Sequence, residues 1–369
     1  MSGGSQRHVE RMRRAAARAA ERGLSGVLVP PSPDYRYLAG YDPPPLERLT
    51  LLAVRAGRDP VLLVPELEAP LARASPIGDA VEVVAWADGE DPYAAAARLL
   101  PPDGAFAVGE RMWARHLLGL QAALPGARFE PAGPVLAPLR AVKDPEELEL
   151  LARAARAADE AFRRLVGERR LEGRREEEVA ADLGALLLEA GHESVAFTIV
   201  GSGPNGASPH HQPGDRTIRR GDAVVLDFGG RIGGYCSDIT RTVVVGEPPA
   251  AVARVHEVVR EAQEAAFRAV RPGVPAEEVD RAARAVIAAA GYGERFIHRT
   301  GHGIGLEEHE EPYLVAGNDR PLEVGNCFSV EPGIYLPGDF GVRVEDIVTV
   351  IPDGAQRLNH APRELLAVA

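Results

Sequence analysis

Short apolar runs alternate with alanine-rich amphipathic stretches along the first third of the chain. GVLVP (26–30), LTLLAV (49–54), PVLLVP (60–65), AVEVVAW (80–86) and GAFAVG (104–109) are too short for helices and predict buried strands. Between them, 93–100 and 113–123 predict helices, and Val9, Met12, Ala16 and Ala19 fall on one face of a first helix. That alternation predicts an α/β domain over residues 1–137. PAGPVLAPLRAVKDPEE carries four prolines and ends in the helix-start signal Asp144-Pro145-Glu146-Glu147, so a domain junction is expected there. From 138 to 369 the pattern becomes helix, helix, strands, given twice. The helices are expected near 145–167, 173–190, 249–270 and 275–290, with strand-rich blocks at 195–245 and 296–350. This is an α+β domain with an internal duplication of architecture.

Two strands in that second part interrupt their apolar runs with carboxylates. In AVVLDFGGRIGGYCSDITRTVVV a glycine turn centred on Ile232-Gly233 sets Asp227 opposite Asp238 on one face of a hairpin. In FSVEPGIYLPGDFGVRVEDIVTV a loop centred near Gly338 sets Glu331 opposite Glu345. A buried carboxylate without a partner costs several kcal/mol, and facing like charges cost more. FIHRTGHGIGLEEHEEP adds His298, His302 and His309, with glycines beside His302 that allow close backbone approach. Four carboxylates and a neutral imidazole carry four negative charges, which two divalent cations cancel. The oxygen-rich set suits manganese, cobalt, iron or zinc. The aspartates are expected to be ligands of a dinuclear centre.

Composition narrows the function classes. With 42 Lys+Arg against 54 Asp+Glu, the net charge of -12 opposes a nucleic-acid partner. No apolar run approaches the roughly 20 residues of a membrane helix, and the basic N-terminus lacks the apolar core of a signal peptide. Two cysteines, Cys236 and Cys327, form no disulfide framework, which predicts a reducing cytoplasm. GSGPNG (201–206) matches a dinucleotide-binding loop, but Pro204 and Pro209 oppose the helix such a loop must open. The chain has no HExxH, CxxC or GxSxG motif.

The motifs LDFGG, SDITRT, TGHGIG, VEPGIY and VRVEDIV, in that order, resemble the pita-bread metallopeptidases: Xaa-Pro dipeptidase (prolidase), Xaa-Pro aminopeptidase and their relatives. The resemblance covers about 145–369. It implies a pita-bread (creatinase/aminopeptidase) fold with internal pseudo-two-fold symmetry and the metal ligands Asp227, Asp238, His302, Glu331 and Glu345. It also implies that His210 and His309 contact the peptide and stabilise its oxyanion, while Glu331 carries a proton to the leaving proline nitrogen. His298 is expected to shape the proline pocket, and Arg343 to bind substrate or to orient Glu345 or Asp238. The N-terminal part is similar to the creatinase/prolidase N-domain, with SPDYRYLAGYDP resembling its opening strand and loop.

The implied activity is dinuclear, metal-dependent hydrolysis of Xaa-Pro bonds in short proline-containing peptides, with manganese as the expected metal and a homodimer as the expected assembly. Dipeptides are the expected substrates. An aminopeptidase acting on longer peptides is the alternative, and a non-catalytic pita-bread binding protein a remoter one. A dipeptidase must hold a free carboxylate. Some prolidases carry an arginine for this four residues after the histidine matching His309, where this chain has Tyr313. Arg343, Arg299 or an N-domain arginine is left to take that part.

Overall fold

The computed structural model describes residues 3–369, which fall into two units, Met1–Arg140 and Ala141–Ala369. The first contains α1 (Gly3–Glu21), β1 (Gly26–Val29), α2 (Pro33–Ala39), β2 (Leu51–Arg55), β3 (Val61–Pro65), α3 (Ala69–Ala74), β4 (Glu82–Trp86), α4 (Pro92–Leu99), β5 (Ala105–Val108), α5 (Ala114–Ala123), β6 (Arg128–Pro131) and α6 (Gly133–Ala141). One mixed sheet runs β4-β3-β2-β1-β5-β6. Its edge strand β6 was not expected, because RFEP is mostly exposed and gives no apolar signal.

Two local expectations are corrected in this unit, and one helix is added. SPDYRYLA folds as helix α2, not as a strand and loop. Ser32 caps it by accepting from the Tyr35 N–H, Pro33 opens it, and Gly40 closes it at φ 77. The proline-rich segment at the expected domain junction forms α6, with Pro138 inside it. Pro134 falls in the first turn, whose N–H groups have no helical partners, and burial of Val135, Leu136 and Leu139 offsets the bond lost at Pro138. In α1 the buried face is His8, Arg11, Met12, Ala15 and Ala19, turned from the expected one, with Val9 and Ala16 only half-buried. His8 and Arg11 both bond to the Tyr37 carbonyl at 3.1 Å, so polar residues share that face.

In the second unit a helix pair and a sheet occur twice. The first half holds α7 (Pro145–Glu168), α8 (Glu176–Glu189), β7 (Ser194–Ser202), β8 (Ala223–Ile232), β9 (Tyr235–Cys236) and β10 (Ile239–Val245). The second holds α9 (Ala250–Ala269), α10 (Ala276–Ala289), β11 (Gly301–Gly303), β12 (Glu310–Leu314), β13 (Cys327–Val330), β14 (Gly333–Leu336), β15 (Phe340–Arg343), β16 (Asp346–Ile351) and β17 (Gly354–Arg357). The last strand, β18 (Leu366–Val368), returns to pair with β10. A capping box at Asp144 and Glu147 starts α7 where the sequence signal stands.

Strand alternation decides what faces the space between the two sheets. Val224, Leu226 and Phe228 of β8 pack with Phe162, Leu165 and Leu183 of the first helix pair, so Asp227 points the other way. In the second half Phe328, Val330, Val342, Val344 and Val348 pack under α9 and α10. Glu331, Arg343 and Glu345 alternate with these residues and face away from the helices.

The register of the first hairpin differs from expectation. Asp227 pairs with Thr240, not Asp238, and Ile232 pairs with Tyr235. The turn is therefore Gly233-Gly234, at φ 58 and 84. A two-residue hairpin of this type needs positive φ at both central positions, which β-branched Ile232 does not adopt. Asp238 lies two residues from Thr240, so it keeps the expected face. The second hairpin keeps its register: Val330 pairs with Asp346 and Gly333 with Arg343, on either side of Glu331 and Glu345.

Candidate metal centre

Both ladders break at the acidic residues, and the freed backbone bonds elsewhere. The Glu331 N–H donates to the Thr300 carbonyl at 2.8 Å, and the Glu345 N–H to the Thr240 carbonyl at 3.1 Å. The second bond ties the two halves of the unit together at the site. Asp238, His302 and Glu345 are buried, with one potential ligand atom from each lying within 4.8 Å of the others. His302 Nε2 lies 3.2 Å from Glu331 Oε1 and 3.7 Å from Asp238 Oδ2. Asp227 joins from the adjacent strand, buried and held by Arg343 Nη2 at 2.5 Å.

The donor chemistry fits divalent metal. Asp227 Oδ1, Asp238 Oδ1 and Glu345 Oε1 are buried without a hydrogen-bond partner. Orphaned carboxylate oxygens cost far more than neutral groups and are otherwise avoided. His302 Nδ1 lies 3.2 Å from the Gly303 carbonyl, which can only accept, so that nitrogen carries the proton. Its Nε2 lone pair is then aimed at the carboxylates, the orientation a metal-binding imidazole needs. Thr240 Oγ1 donates to the other Glu345 oxygen at 2.6 Å, fixing that carboxylate.

Electrostatics follow from this crowding. Burial first, then Glu345, Asp227 and Glu331, push Asp238 well above the usual carboxylate range. Burial, with Glu331 and Asp227, does the same to Glu345. Burial raises Asp227 as well, outweighing Arg343. Glu331 is the exception: burial raises it, but the His302, His298 and Arg343 side chains beside it favour the ionised form more, and the group sits at about 2. Clustered carboxylates that resist ionisation together are what bound cations relieve.

The histidines divide into two kinds of surroundings. His309 lies against His302 with ring centroids 4.0 Å apart and the ring planes tilted by 56°. Burial first, then the neighbouring His302 ring and the Arg299 charge, lower it to about 4, so it is neutral at pH 7. His298 lies beside the cluster, with Nε2 2.8 Å from the Tyr335 hydroxyl and its ring edge-on to Phe296. His210 is exposed, following Pro209, whose carbonyl lies 3.4 Å from Arg343 Nη2. His211 is turned away to Glu176 Oε2 at 2.7 Å.

Arg343 is not where expected. It makes no direct bond to Glu345 or Asp238 but pairs with Asp227, and it donates to Thr240 Oγ1 at 3.0 Å, the hydroxyl that fixes Glu345, and to the Tyr335 hydroxyl at 2.8 Å. The parity of its strand explains this: Arg343 lies two residues from Glu345 on the same face and reaches across to β8. With its fork engaged in this way and the group buried, it has no free edge for a substrate carboxylate.

Three supporting residues went unassigned in the sequence. Thr240 and Tyr335 stand inside motifs already singled out, and period-two spacing from Asp238 places Thr240 on the site face. Glu176 had no such signal. Fully buried at the start of α8, it accepts from the Ser202 N–H and hydroxyl at 2.7 Å and from Asn205 at 3.1 Å, besides meeting His211. It anchors the loop that carries His210.

The family model described as metallopeptidase family M24 matches residues 149–352, more than half of the chain. The chain belongs to this family. The creatinase/prolidase N-terminal domain model matches 11–142. The M24 chain is 47% identical over 364 residues to the probable dipeptidase PepE of Mycobacterium tuberculosis, covering 98% of this chain and 96% of that one. It is 38% identical over 342 residues to the Xaa-Pro dipeptidase of Lactobacillus helveticus, covering 89% and 91%. The crystal structure of dipeptidase PepE from Mycobacterium ulcerans superposes with a TM-score of 0.93 at 46% identity, covering 99% and 98%. The fold is thus that of pita-bread prolidases, an α/β N-terminal domain followed by the pseudo-two-fold domain, and the protein is a metallopeptidase.

Proposed function

We propose that this M24 protein is a dinuclear Xaa-Pro dipeptidase, a prolidase. The observation that carries the metal half of this reading is the set of orphaned oxygens on Asp227, Asp238 and Glu345, converging with the lone pair of His302. The substrate half rests on relatives named dipeptidase and Xaa-Pro dipeptidase over nearly the whole chain. Asp227, Asp238, His302, Glu331 and Glu345 would hold two divalent ions, with manganese the metal we infer for so oxygen-rich a set. When bound, the metal pair supplies Lewis-acid chemistry, acidifying water and polarising a carbonyl oxygen.

The chain's own residues carry the remaining work. Water adds to the scissile carbonyl carbon, the C–N bond to proline breaks, and the proline nitrogen takes a proton. Glu331, which Ser329 Oγ approaches at 3.1 Å and His302 at 3.2 Å, takes the proton of water and returns it to that nitrogen. His309, neutral and in contact with the His302 ring, donates a hydrogen bond to the developing oxyanion or to the peptide, as does His210. His298, with Tyr335 and Phe296, forms the wall against which the proline ring packs. Asp227 stays fixed through Arg343, whose bonds to Thr240 and Tyr335 hold it in turn.

We further infer a homodimer and a cytoplasmic setting, the latter supported by two buried, unpaired cysteines. No helix among the described residues is long and apolar enough to cross a membrane. We assign peptide hydrolysis to residues 138–369 and a substrate-limiting part to 1–137.

Two outcomes follow. His210→Ala lowers kcat/KM about 100-fold, as loss of an oxyanion donor does, whereas His211→Ala lowers melting temperature and costs much less activity. The reverse order would reassign the histidine. Dipeptidase action is tested by comparing Xaa-Pro with Xaa-Pro-Yaa of the same first residue: the dipeptide has the higher kcat/KM. Faster cleavage of the tripeptide would make the enzyme an aminopeptidase.

A further inference from the structure

Arg299 leaves the chain between His298 and the strand that carries His302. Its guanidinium lies 4.3 Å over the Tyr313 ring, and Tyr313 is the cross-strand partner of His302. The side chain is half-buried, and its charge is felt at His309, whose ring touches that of His302. It therefore stands at the edge of the metal cluster, on the side of His309.

The cations around it are committed. Arg343 serves Asp227, Arg231 serves Glu308, and Arg320 lies 3.8 Å from Glu311. Lys143, the one lysine of the sequence, is buried against Glu310 at 2.6 Å. Arg284 pairs with Asp280 at 2.7 Å and with the Phe296 carbonyl at 3.1 Å. Those same pairs neutralise the acidic residues on either side of His309. Arg299 has an aromatic ring beneath it and, among the described residues, no hydrogen bond or ion pair to its guanidinium. A guanidinium resting over a ring by its carbon keeps N–H groups available for a planar anion.

We propose that Arg299, laid on Tyr313, receives the C-terminal carboxylate of a Xaa-Pro dipeptide and thereby selects dipeptides over longer chains. The inference rests on the prolidase reading above. A carboxylate offers two oxygens and a full charge to the fork, whereas the amide of an extended peptide offers one neutral oxygen. The engaged fork of Arg343 leaves this part to Arg299, and the stacking explains what Tyr313 does beside it.

The test uses metal-loaded wild-type, Arg299→Met, Arg299→Lys and Tyr313→Leu proteins on Xaa-Pro, its C-terminal amide and Xaa-Pro-Yaa. Matched melting temperature and metal content check the fold. In Arg299→Met the preference for free acid over amide falls about 10- to 100-fold, mainly through KM. Proline weakens as a product inhibitor by a similar factor. Arg299→Lys restores part of the preference, since it keeps the charge without the fork, and Tyr313→Leu loses part of it. An unchanged acid-to-amide ratio in Arg299→Met, with wild type preferring the acid, overturns the assignment of Arg299 alone. A wild-type enzyme that prefers the amide or the tripeptide overturns the dipeptidase reading instead.

Discussion

Asp238→Ala and Glu345→Ala each turn over Xaa-Pro substrate at least about 1000-fold more slowly than wild type and retain less metal. The magnitude follows from the several kcal/mol that a Lewis acid contributes to charge development, with 1.4 kcal/mol for each tenfold. The geometry leaves nothing to take over. The ligand atoms of Asp238, His302 and Glu345 already lie within 4.8 Å of one another, and the nearby Thr240 hydroxyl is used by Glu345 and Arg343. Thr240→Val should fall between wild type and these variants, because it frees one oxygen of Glu345 without removing it. Elemental analysis and kcat/KM on the same preparations check the series, with circular dichroism as the control for folding. Wild-type turnover by either alanine variant would remove these carboxylates from the reaction.

Asp238→Asn has the opposite effect on stability. In chelated protein the amide variant is more stable than wild type by about 1–2 kcal/mol, within the range that a buried acceptor left without a partner costs. For a unit of this size that is roughly 3–6 °C in melting temperature. The cause is the crowding of carboxylates with orphaned oxygens. A neutral amide ends one repulsion and donates to a neighbouring acid. Adding metal reverses the order: wild type gains about 2.7 kcal/mol when metal is a hundredfold above its dissociation constant, and the variant gains less. Thermal scans with chelator and with manganese read both effects. A chelated wild type more stable than chelated Asp238→Asn would mean that the cluster carries no internal repulsion. The acids would then be held for packing and not for metal.

Much of this was legible in the sequence because the signals are local. Strand periodicity sends Asp227 and Glu345 to the face opposite Leu226 and Val344, and the loop around Gly338 sets the second hairpin in its observed register. The first register lies one turn position away from the centre of GGRIGG, since Gly234 takes positive φ and Ile232 does not, a distinction that counting to the centre ignores. Helices α2 and α6 were missed for a different reason. Their prolines give no helical signal in sequence, yet they serve there as a helix opener and as an interior residue covered by apolar burial. Arg343 and Glu176 show the remaining limit. Their partners lie 116 and up to 35 positions away along the chain, so only the folded arrangement of the two halves decides whom they meet.

The most direct measurement is a titration of metal-depleted protein with manganese, reading bound metal and Xaa-Pro hydrolysis on the same samples. The account predicts no turnover at zero metal, binding that saturates at two ions per chain, and activity that rises with occupancy. Full hydrolysis by metal-depleted protein, or two bound ions with no cleavage of any Xaa-Pro peptide, would contradict it.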